Sequence, residues 1–139
     1  MKKMLILLLP IALLMAGCST LADARAAKGK GLSYIYEGSF DDVWGSVPKA
    51  IQAMGSGGPK IVSENKQEGY ILAQGGMSFV SYGENVAIFV EKIDDTKTKV
   101  EIISKRTLAT NVVAADWAPR LHKKLAEMLK RVAGASHKA

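Results

Sequence analysis

Asn85-Val86-Ala87-Ile88-Phe89-Val90-Glu91-Lys92-Ile93, then Asp94-Asp95-Thr96, then Lys97-Thr98-Lys99-Val100-Glu101-Ile102-Ile103-Ser104-Lys105 reads as two strands joined by a turn. Val86, Ile88 and Val90 recur at every second position and so share one face, while Val100 and Ile102 alternate with charged Lys99 and Glu101. Asp94 and Asp95 suit the turn because a short carboxylate can bond its own backbone two residues on. An antiparallel hairpin with one apolar face needs a cover, and its neighbours determine what that cover is.

Upstream, Lys60–Glu64 and Tyr70–Gln74 form a second predicted hairpin about a turn at Asn65–Gly69, and Met77–Tyr82 is strand-like between glycines. Gly75-Gly76 reads as a bulge or a break. Leu32–Glu37, rich in aromatic and branched residues, predicts a first strand. Two helical patterns bracket the strands. In the first, Ser39 or Asp41 is placed to cap a helix whose apolar face is Val43, Val47, Ala50, Ile51 and Met54, with Trp44 at its edge and Pro48 an expected bend. In the second, which follows a connection through Leu108, Asn111 and Val113, Asp116 is the expected cap. Leu121, Leu125, Met128, Leu129 and Val132 form the stripe, Pro119 is tolerated in the first turn, and Gly134 is the expected stop. The opposite face, Arg120, Lys123, Lys124, Lys130 and Arg131, reads as solvated. The expected fold is α+β: an antiparallel sheet of about five strands with two helices packed on one face, the other face wet.

The start of the chain is of a different kind. Lys2 and Lys3 precede an apolar run from Met4 to Met15 of 12 residues, shorter than the roughly 20 a spanning helix needs and interrupted by Pro10. Leu14-Met15-Ala16-Gly17-Cys18 resembles the lipobox of bacterial lipoproteins, with Met15 where leucine is more usual. The resemblance implies that Met1–Gly17 is a signal peptide removed on export. It also implies that Cys18 carries diacylglycerol, and that Ser19, in place of the retention aspartate, directs the protein to the periplasmic leaflet of the outer membrane. Several acyl chains on one cysteine anchor firmly where one would not. Removal of the leader leaves 122 residues, enough for one domain. Cys18–Gly31 is small, polar and basic and is expected to be a flexible tether. Leu32–Gly134 is expected to be the single domain, and Ala135–Ala139 a disordered tail.

The formal net charge of +6 falls to +4 without Lys2 and Lys3, and to +2 for the part from Leu32 onward, because Arg25, Lys28 and Lys30 against Asp23 belong to the tether. That is too little for a basic nucleic-acid binder. The only cysteine would carry lipid, so no disulfide within the mature chain is available.

No residue pattern predicts catalysis or a cofactor. His122 has no acidic or cysteine neighbour at ligand spacing, and His137 lies in the tail. Asp41-Asp42 fits a helix start and Asp94-Asp95 a turn better than either fits an acid/base pair. The glycine runs at Gly29–Gly31 and Gly55–Gly58 lack the lysine-threonine ending of a phosphate loop. Tyr34, Tyr36, Tyr70 and Tyr82 fit half-buried strand packing.

Tyr36-Glu37-Gly38-Ser39-Phe40-Asp41-Asp42-Val43-Trp44, followed by Ala50-Ile51, Ile61-Val62, Glu68–Ala73 and Lys97–Ile102, resembles small bacterial outer-membrane lipoproteins of unknown function. It is also distantly similar to the repeated helix-on-sheet domains of BamC, a lipoprotein of the outer-membrane β-barrel assembly machinery. The resemblance spans about Tyr34 to Leu129 and implies a helix-on-sheet domain at the envelope with no catalytic residue. BamC has two such domains after a long extended lead, and this chain one domain after a short segment. Two functions are therefore expected, neither enzymatic. The first is a membrane-anchored interaction module for an envelope partner. The second is a binding module for a lipid or other small apolar ligand, held in a pocket near Trp44, Phe79, Phe89 and Trp117.

Overall fold

The hairpin is present almost residue for residue in a computed structural model, which describes residues 19–76, 83–108 and 115–138, with the backbone alone for 133–138. In chain order the elements are α1 (Leu21–Ala26), β1 (Leu32–Glu37), α2 (Phe40–Gln52), β2 (Lys60–Asn65) and β3 (Tyr70–Gln74). Then come β4 (Glu84–Lys92), β5 (Lys97–Arg106), α3 (Trp117–Met128) and β6 (Arg131–Lys138). β4 and β5 pair antiparallel from Glu84↔Arg106 to Lys92↔Thr98. The Asp94 carboxylate accepts from the Thr96 N–H at 2.8 Å and from its hydroxyl at 3.0 Å, the bond predicted for a turn aspartate. Among the described residues the sheet has six antiparallel strands in the order β2-β3-β4-β5-β1-β6.

Alternation places the core. Val86, Ile88, Val90, Val100 and Ile102 face α2 and α3, and meet Val43, Val47, Ile51, Leu121 and Leu125 in one buried cluster. Each such side chain contributes about 1.5–3 kcal/mol by leaving water. α2 begins at Ser39, whose hydroxyl accepts from the Asp42 N–H at 3.2 Å and donates to the Asp42 carboxylate at 2.6 Å. The helix runs through Pro48, which withholds the N–H that would otherwise reach back to the carbonyl of Trp44. Ser39→Ala is expected to cost about 1 kcal/mol, read as a lower urea midpoint at unchanged slope.

Three expectations need correction. The tether is not free chain, because Leu21–Ala26 is helix. Thr20 and Asp23 form a reciprocal cap, the Thr20 hydroxyl accepting from the Asp23 N–H and the Asp23 carboxylate from the Thr20 N–H. The second face of the sheet is consequently not wet throughout. Ala24 and Ala27 pack there on Leu72, Ala87, Phe89 and Ile103, so helices lie on both faces. The last helix stops at Met128, not near Gly134. Leu129 is extended at φ −131°, ψ 141°, and the chain turns back as β6, a sixth strand where a tail was expected. β6 pairs with the edge that β1 would otherwise expose, in the register Tyr36↔Arg131, Tyr34↔Ser136 and Leu32↔Lys138. The Lys130 carbonyl accepts from the Glu37 N–H at 2.8 Å, closing the corner.

The leader with Cys18, the expected strand Met77–Tyr82, and Asn111 and Val113 lie outside the described residues. Among the described residues no helix is long and apolar enough to cross a membrane.

Candidate functional site

The pleat puts Glu84 on the same face as Val86 and Ile88, so a carboxylate points into the core at the start of β4. It is 3 % exposed. A buried carboxylate is costly unless donors surround it. Here the Ala115 N–H donates to it at 2.9 Å and the Trp117 indole N–H at 3.1 Å, which fixes the entry to α3 against the sheet. Ser104 adds to the same joint by accepting from the Trp117 N–H at 3.2 Å. Gly75 is required beside it, because a Cβ there would run into the Glu84 carboxylate. Gly83, at φ +88°, adopts a backbone that other residues rarely take, and its own Cβ would meet the Gly75 carbonyl at 2.6 Å.

Asn85, one residue on, points to the opposite face and ties down the N-terminal arm. Its amide donates to the Ser19 carbonyl at 2.7 Å and accepts from Gln74 at 3.0 Å. The Ser19 N–H donates to the Thr107 carbonyl at 2.9 Å, and its hydroxyl donates to the Arg106 carbonyl. Ser19 is thus bonded to β4 and to the end of β5. A groove of about 660 Å³ opens at the same end of the sheet, between Ser56–Gly58, Lys60, Gln74–Gly76, Glu84 and Thr107.

Further along the arm, Glu101 is 4 % exposed and accepts from the Gly29 N–H at 2.8 Å and the Gly31 N–H at 2.7 Å. The third buried ionisable group, His122 on α3, has Nδ1 2.8 Å from the Tyr36 hydroxyl and Nε2 2.8 Å from the Leu32 carbonyl. A carbonyl only accepts, so Nε2 carries the proton, and Nδ1 accepts from Tyr36. Burial pushes the imidazole down to about 4, and the Arg131 guanidinium, 3.9 Å from the Tyr34 ring centroid, adds to that push. Burial likewise raises the Tyr36 phenol. The cluster bonds α3 to β1.

Of the residues picked from sequence as a pocket, Phe89 lies apart from the two tryptophans. Trp44 and Trp117 are both buried in the helix-side cluster, Phe89 packs under α1 on the other face, and Phe79 lies outside the described residues. Sequence reading missed Glu84, Asn85 and Ser19. A signal was present for one of them: a carboxylate at a core-facing position of an otherwise apolar strand implies buried donors. Among the described residues no three His, Cys, Asp or Glu side chains come together as metal ligands would. Compared with family models and with curated proteins, the chain matches none.

Proposed function

We propose that this chain is a bacterial lipoprotein, held by diacylglycerol on Cys18 at the periplasmic leaflet of the outer membrane. Its folded part is a non-catalytic interaction module for another envelope protein. The observation that carries the second half is the use made of the buried ionisable side chains. Glu84 joins β4 to α3, Glu101 joins β5 to the N-terminal arm, and His122 joins α3 to β1. Such groups, bonded to the protein's own backbone and rings, are spent on holding the fold. The lipobox at Leu14–Cys18 supports the first half, and the likeness to BamC-type domains makes an envelope protein the expected partner. The apolar-ligand reading is the weaker of the two, because Phe89 lies on the face of the sheet opposite Trp44 and Trp117.

Mass analysis of the protein isolated from its native membranes is the direct test. The expected species begins at Cys18 and carries the added mass of the acyl chains. A bare thiol, or a retained leader, would overturn the anchoring. Crosslinking in intact membranes followed by affinity purification tests the module, and the absence of any specific partner would count against it.

A further inference from the structure

Ser19 is the residue next to the proposed lipid attachment point, and it is not on a leash. It is bonded to Asn85, Arg106 and Thr107 at one end of the sheet. Consecutive Cα atoms are about 3.8 Å apart, so acyl chains on Cys18 would begin at that end and not at the far end of a swinging linker. β4 has nine residues, which puts the two ends of the sheet about 30 Å apart.

The two ends differ in how their charges are used. Lys60 begins β2, and Lys105 and Arg106 finish β5, all three at the Ser19 end. None of them takes part in an ion pair among the described residues, whereas toward the opposite end Lys66–Asp41, Lys92–Asp95, Lys99–Glu91 and Lys130–Glu37 are paired, with Lys97 and Arg131 outside those pairs. The acids at the Ser19 end are already engaged with donors of the protein itself: Asp23 with Thr20, Asp116 with the Ala118 N–H, Glu84 with Ala115 and Trp117. Lys105 is shared with the Asp23 carboxylate, whose proton affinity it helps to lower, and Lys60 and Arg106 are the cations most available to an external anion. An anionic bilayer surface supplies one in every direction the lipid anchor allows.

We infer that the Ser19 clamp fixes how the domain sits on the membrane, with the Lys60–Lys105–Arg106 end against anionic phospholipid headgroups and the Asp94–Thr96 turn pointing away. This rests on the lipoprotein reading above. The partner-binding surface is then at the far end or on the flanks, and is presented at a set height instead of sampling all directions.

The test uses the full acylated protein in vesicles of phosphatidylethanolamine and phosphatidylglycerol. Acylation of Cys18 leaves no free thiol, so S56C, at the Ser19 end but outside the basic set, and D95C each carry one fluorophore, read against a quencher on the lipid headgroup. Quenching is expected to be about fivefold stronger at position 56 than at 95, given the separation of the ends. Equal quenching, or stronger quenching at 95, overturns the orientation. A ten-residue Gly/Ser insertion between Cys18 and Ser19 leaves every bond of the clamp in place and is expected to erase the contrast. A contrast that survives it overturns the role given to the clamp. A bare Cys18 by mass is a different failure: it removes the anchor itself, and equal quenching on an acylated protein does not.

Discussion

Taking the protein from pH 7.5 to pH 4.5 is expected to cost the folded domain about 2 to 3 kcal/mol through one side chain, His122. Its folded value lies at about 4, against an ordinary 6.5, chiefly because the ring is buried. The folded protein therefore resists a proton that the unfolded chain accepts. Stability is full above 6.5, falls as pH drops from there, and levels off below about 4. Tyr36, Tyr34 and Arg131 face the ring, and none of them supplies a negative charge to shelter an imidazolium. Asp23 and Asp94 are lowered from 3.8 by bonds to Thr20 and Thr96, so what they contribute is lost only at still lower pH. The interval from 6.5 to 4.5 thus isolates the histidine among these groups. Urea midpoints at closely spaced pH values should trace the fall, and His122→Gln, which keeps a donor for the Leu32 carbonyl, should flatten it whatever its stability at neutral pH. An unchanged slope in that variant would assign the effect elsewhere.

What was legible in the chain was whatever neighbouring residues dictate. The alternation of Val86, Ile88 and Val90, the Asp94 turn, and the caps at Ser39 and Asp116 are local bonds or local periodicities, and each is found in place. The end of the last helix was not legible. Leu129 and Val132 continue the helical spacing, and only the unpaired edge of β1, far away in sequence, draws Arg131–Lys138 into a strand. The N-terminal arm was misread for another reason. Its small residues suggested a linker, yet Thr20 and Asp23 stand at capping-box spacing, and Ala24 with Ala27 is the narrow stripe that lets a helix lie close to a sheet. Of the polar joints, Glu101 looked like one half of a wet alternation because the arm that covers it begins some seventy residues earlier.

Removing that carboxylate should have the largest effect of any single change to the arm. Glu101→Ala is expected to cost about 3 kcal/mol, since buried charge-assisted bonds to the Gly29 and Gly31 N–H groups go together, and the buried Gly31 N–H is left without its acceptor. The loss has a ceiling. Once holding the arm costs more than its contacts return, α1 lifts off, water satisfies its backbone, and the sheet keeps its helix-side core. The outcome is then local release and not global unfolding. Trypsin should cut at Arg25, Lys28 and Lys30 about a hundredfold faster, while the bulk melting transition moves little. Glu101→Gln keeps an acceptor oxygen without the charge and should release the arm to an intermediate degree. Ser19 would keep its own bonds to Asn85, Arg106 and Thr107, so release at Glu101 with the sheet end still held would separate the two attachments. Cleavage no faster than in the parent protein would mean that Ala24 and Ala27 hold the arm down unaided, and that the carboxylate is not what keeps it closed.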